Sequence, residues 1–167
     1  AGGPITSHAA DVSAPVHNVD GSFVREWLVL GPFSSRDIET DFLADVGGEA
    51  NARPKEGDAV TTKDGKPWVW TRLRSMHEVV DFEQILGIQE WSIAYAYWEL
   101  NANESIETDA RSVSSHPSPL WINGKKVGQM PTRPVRRDDS TPVLPIRLNK
   151  GRNACLLKVK MQSRHRW

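Results

Sequence analysis

Five aromatic residues sit where flat rings could receive a sugar: Trp68 and Trp70 in one segment, Tyr95, Tyr97 and Trp98 in another. A pyranose offers an apolar face to a ring and hydroxyls to the polar side chains around its rim. Arg72 and Arg111, with Asp109 and Glu99, are the rim candidates, and Trp167 is a further ring. The chain holds seven Trp against four Phe and two Tyr, so the indole is its preferred aromatic. Trp27, Trp91 and Trp121 have apolar flanks and are expected in the core instead.

Other chemistry is thinly supplied. There is no Gly-x-Ser-x-Gly, no Gly-rich phosphate loop and no His-Glu-x-x-His. His8, His17, His77, His116 and His165 are scattered without metal-ligand spacing. The single Cys155 alternates with apolar residues and reads as an inert core thiol. One Cys also excludes a disulfide framework or a Cys-based zinc finger. Glu99, Glu104, Glu107 and Asp109 could be drawn as a glycosidase pair, but acids so spaced more simply line a solvated strand face. Asp37, Glu39, Asp41 and Asp45 could lend oxygens to a structural calcium or serve as helix N-terminal acids. The run Arg133–Asp139 is a self-paired surface loop, or a set of arginine forks for sulfated or uronic sugars. No catalytic residue is expected, the metal content is open, and no cofactor is implied.

Composition narrows the partners. In 167 residues, 21 Lys plus Arg balance 21 Asp plus Glu. A phosphate-binding protein leaves a basic excess, so nucleic acid is not the expected partner. No run approaches the ~18 apolar residues of a membrane span. The length suits one domain with its own core.

Positioning the candidates falls to strands. Residues 1–22 read as a linker or irregular lead-in without a signal-peptide pattern, extended near Pro15–Val19, with a single domain over 23–167. Arg25–Gly31 is a continuous apolar run of strand length ended by Gly-Pro. Ser34–Gly47 predicts one short helix near 37–46, with caps at both ends and Phe42, Leu43 and Val46 on one face. Asp64-Gly65 marks a hairpin between Val60–Lys63 and Pro67–Leu73, although Trp68, Trp70 and Leu73 hold no single parity. Val79–Leu86 is ambiguous, with a helical turn as one reading. In Trp91–Leu100 a helix face and a strand face both fit, and the aromatics favour the strand. Its two parities cannot both be core unless a layer covers each, so one should look outward. Ser105–Asp109 is the next strand, and Leu120–Val127 is a hairpin on Asn123-Gly124. Val143–Leu148 and Ala154–Met161 form the last pair, with Pro145 at an edge or bulge. Many short strands with one short helix predict an all-β antiparallel sandwich of jelly-roll type.

Several of these segments carry a resemblance. Trp27-Leu-Val-Leu-Gly-Pro-Phe33 with Asp41-Phe-Leu, the hairpin Trp121-Ile-Asn-Gly-Lys125, and Lys150-Gly-Arg-Asn-Ala-Cys-Leu-Leu-Lys-Val159 resemble the galactose-binding-domain-like jelly roll. Domains of that group accompany secreted bacterial polysaccharide-acting enzymes, some as carbohydrate-binding modules and some as structural modules. The resemblance implies an extracellular or periplasmic location, a glycan partner, a neighbouring catalytic domain and, in some members, structural calcium. An insertion over Arg111–Pro119 departs from the pattern. The expected function is non-catalytic binding of a polysaccharide or oligosaccharide by aromatic stacking. The alternative is a module that orients a neighbouring catalytic domain without binding sugar.

Overall fold

Turn-rich sequence with short apolar runs yields strands wherever pairing partners exist, and the computed structural model is all-β. It describes residues 11–76, 86–87, 90–111, 116, 118–131 and 143–161. Among them are the strands β1 (Val16–Asn18), β2 (Glu26–Ser34), β3 (Ala59–Thr61), β4 (Pro67–Val69), β5 (Thr71–Arg74) and β6 (Ser92–Ala102). The later ones are β7 (Ile106–Arg111), β8 (Ser118–Ile122), β9 (Lys125–Met130), β10 (Val143–Leu148) and β11 (Gly151–Met161). The main sheet has the order β5-β2-β6-β11-β8-β9. All its pairs are antiparallel except β1, which lies parallel to β6 at Glu99–Asn101, beyond the stretch that β2 occupies. The expected lead-in therefore belongs to the domain from Ala14, which is itself buried.

Two smaller pairs cover the two faces of this sheet, giving a β-sandwich. On one face Leu28, Leu30, Tyr95, Tyr97, Trp121 and Leu156 pack with Val60 and Trp68 of the β3–β4 hairpin and with Phe42 and Leu43 of the connecting loop. On the other, Cys155, Ile122 and Leu120 pack with Ile146, Leu148 and Ile106 of the β7–β10 pair. Val29, Ala96 and Val159 continue that second core toward Trp27 and Leu86. Both parities of β6 are thus interior, and neither looks outward as the alternation had suggested. The cause is a layer on each side of the same strand.

Local chemistry explains the details. A register shift between Leu30 and Phe33 changes the parity of β2, so Phe33 joins Leu28 and Leu30 in the first core. The chain changes sheets at Trp70: β4 pairs with β3, whereas β5 pairs with β2. That switch accounts for the broken parity of Trp68, Trp70 and Leu73. The Asn123-Gly124 hairpin forms as expected, with φ of 50° and 82° at its two turn residues. Pro145 lies in the β7–β10 pair, where each strand has a single strand neighbour among the described residues.

The helix predicted near 37–46 is replaced by turns and a 3-10 turn at Ala44–Val46, with a second at Glu49–Asn51. Asp37 accepts from the Glu39 amide at 2.9 Å and Asp41 from the Leu43 amide at 2.8 Å, so both acids compete with helical hydrogen bonding. Phe42 stacks on Phe33 at 4.5 Å, and Leu43 is buried. The segment spreads across the sheet as a cover instead of coiling. Of the ambiguous Val79–Leu86 stretch only Leu86 lies among the described residues, and it is helical.

Candidate functional site

The predicted aromatic platform is divided among interior positions. Trp70, Tyr95 and Tyr97 are buried in the first core, with Trp70 edge-on to Tyr97 at 6.5 Å. Trp98 is half-buried on the opposite face of the sheet, 6.0 Å from Trp27. Trp68 is half-buried too, tilted against Phe33 at 5.2 Å with the Lys66 ammonium 4.6 Å from its ring centre. These five rings do not share a surface. The reason is that β6 is central and covered twice, so its aromatics fill cores on alternate sides. Of the three Trp expected in the core, Trp121 is buried, and Trp27 and Trp91 are half-buried. Trp91 has a left-handed backbone, φ 53°, with the Arg36 guanidinium 4.6 Å from its ring centre.

The predicted arginines also part company. Arg111 is exposed at the end of β7, on its outer face with Glu107 and Asp109. Arg72 is a structural hub: it donates to Glu56 at 2.8 Å, to Glu26 at 2.6 Å and to the Ser13 carbonyl. Glu56 and Glu26 together push its guanidinium's pKa further up. Glu99 accepts from the Tyr97 hydroxyl at 3.2 Å and pairs with Arg152 at 3.4 Å.

Around Arg72 lies an open groove of about 850 Å³. Its floor is the antiparallel start of β2 against β5, where Glu26 faces Arg74 and Leu28 faces Arg72. Alternation along β5 puts Arg72 and Arg74 on one side while Leu73 enters the core. Arg25 precedes β2, Arg152 opens β11, and Asp11–His17 forms a wall whose His17 Nε2 lies 2.9 Å from the Glu26 carbonyl. Phe23 and Met76 stand at the rim, 57% and 82% exposed. Asp11 accepts from the hydroxyl and amide of Ser13, which hold its carboxyl below the usual carboxylate range. Sequence reasoning found Arg72 but missed Arg25, Arg74 and Arg152. They are far apart along the chain, and only the Arg72-x-Arg74 alternation was a local signal.

A second polar constellation was also missed, and it lies inside the first core. Lys158, 1% exposed, pairs with Glu49 at 2.6 Å and donates to the Thr40 carbonyl at 2.7 Å. Tyr95 donates to the same Glu49 oxygen at 2.7 Å and accepts from the Phe42 amide at 3.2 Å. Burial, then the neighbouring Glu49 charge, push the Tyr95 hydroxyl's pKa far up. The arrangement ties the 40–49 loop to the sheet and is closed to a substrate. Cys155 is buried as expected, and burial pushes its thiol up to about 12.

Of the four acids considered for calcium, Asp37 holds the Glu39 amide, Asp41 holds those of Leu43 and Glu49, and the Glu39 carboxylate lies 3.8 Å from Lys126. Among the described residues no group of three or more His, Cys, Asp or Glu is placed to hold a metal. Nor is any helix there long and apolar enough to cross a membrane. The Arg133–Asp139 run, Trp167 and most of the Arg111–Pro119 insertion lie outside the described residues. Neither a family model, nor a curated protein, nor a solved structure matches this chain.

Proposed function

We propose that this chain is a non-catalytic glycan-binding module whose ligand occupies the arginine-lined groove between β1, β2 and β5. The observation that carries the reading is convergence: side chains from four separate strands or their flanks meet in one concavity, with an exposed aromatic at its rim. Hydrogen-bonding heads around a cleft with a nearby apolar ring are what a saccharide requires. Stacking is a minor contribution on this reading, limited to Phe23. The galactose-binding-like resemblance agrees, and with it an extracellular or periplasmic place beside a polysaccharide-acting domain.

Affinity gels cast with a panel of plant, algal and bacterial polysaccharides test the reading, run beside a reducing-end assay on the same polymers. Retardation without release of reducing ends is the expected result. Retardation by none of them would overturn it in favour of the orienting module. That second reading has its own support: Arg72, Trp70, Tyr95 and Tyr97 are committed to internal contacts.

A further inference from the structure

We infer that the groove selects anionic saccharides, bearing carboxylate or sulfate groups, through Arg25, Arg74 and Arg152. The inference rests on the reading of the groove as a glycan site and names the class of glycan. Four guanidiniums line it against two carboxylates, Asp11 and Glu26. Arg72 is fully engaged by Glu26, Glu56 and the Ser13 carbonyl, so it frames the groove and leaves the ligand to the others. Glu26 is shared: it lies 2.6 Å from Arg72 and 3.5 Å from the Arg74 Nε. Arg74 is 75% exposed and Arg152 is 68% exposed, each with one loose carboxylate contact, the latter to Glu99 at 3.4 Å. Arg25 is exposed and makes no ion pair among the described residues.

A guanidinium carries five N–H donors in a planar fork that matches a carboxylate or sulfate. A single contact at about 3.5 Å leaves most of those donors directed at solvent. Three such forks around one cavity are poorly used by neutral hydroxyls and well used by anions. The volume also fits, since ligand cavities run to roughly 300–1,000 Å³. Because the three charges are exposed, their attraction is screened by salt.

The test uses the purified chain and four polymers: polygalacturonate, heparin, a neutral galactan and poly-glutamate. Each is titrated at about 50 mM and about 500 mM NaCl, to either side of strong screening. Binding of polygalacturonate, heparin or both is expected, weakening at the higher salt, with the galactan unbound and poly-glutamate bound more weakly than the acidic polysaccharides. Which of the two acidic polymers binds separates carboxylate from sulfate recognition. The triple variant Arg25→Gln, Arg74→Gln, Arg152→Gln should lose about tenfold or more in affinity, at the size expected of three exposed charge contacts, with an unchanged melting temperature. Arg111→Gln, exposed and outside the groove, should bind as the parent does. Binding of the galactan alone overturns the inference and leaves the glycan reading standing. Binding of no saccharide overturns both. Equal binding of poly-glutamate, or acidic binding that survives the triple variant, overturns the selective groove.

Discussion

Lys158 shows how far a single side chain can depart from its usual place. Lysine in a strand is ordinarily taken for a solvent-facing residue, yet this one is enclosed and neutralised by Glu49. Removing one partner of a buried ion pair leaves an uncompensated charge and typically costs about 3–5 kcal/mol. Lys158→Met should therefore lower the urea midpoint sharply, and adding Glu49→Leu should recover much of the loss. If the double variant is as unstable as the single one, the pair is not what holds the loop. Trp70 and Trp68 make a second contrast at this scale. Trp70→Ala should cost about 3–5 kcal/mol, as for a core aromatic, and Trp68→Ala clearly less, because Lys66 and solvent share one side of its ring. Chemical denaturation of both variants measures the difference.

At the scale of elements, the β8–β9 turn is the most tightly specified. Asn123 donates to Asn153 at 2.8 Å and accepts from the Ala154 amide at 2.9 Å. Asn153, wholly buried, accepts from the Asn149 amide and donates to the Asn149 and Gly151 carbonyls. Asn153→Ala strands several of these groups and should cost roughly 2–3 kcal/mol or more. Gly124 has φ 82°, and a Cβ there would lie 2.5 Å from the Ala50 carbonyl. Gly124→Ala should thus destabilise the fold by loosening the contact between this turn and the Glu49–Asn51 segment, which a lowered melting temperature would report. Such elements were legible because Asn-Gly and Lys-Gly-Arg-Asn are local instructions. The 37–46 segment was not, since Phe42 and Leu43 obey a core supplied by residues far along the chain. The aromatic site failed for a related reason: alternation tells which residues share a face, but not how many faces are covered. The groove was unreadable because Arg25, Arg74 and Arg152 meet only after β2, β5 and β11 are in register.

The whole molecule is built on two cores that share one sheet, and its response to pH follows from what they enclose. Cys155, Tyr95 and Tyr97 are all held neutral by burial, with folded pKa values above the ordinary 9.0 of the thiol and 10.0 of the phenols. Their contribution is complete below those ordinary values and is lost as pH rises past them, when the unfolded chain ionises first. Urea midpoints should hold steady through neutral pH, fall from about pH 9 and fall faster above pH 10. A thiol reagent should leave native Cys155 untouched at neutral pH and react once the chain is unfolded. The order of the strands has a further consequence, for the way the chain reaches this state. β11 lies between β6 and β8, although ten of the described strands precede it. Until it arrives, β6 has a bare edge eleven residues long, and the two halves of the main sheet have nothing to join them. A growing polypeptide therefore cannot close this sheet until β11 has been made, and must then bring together partners far apart in sequence. Folding of that kind is slow and exposed to edge-to-edge aggregation.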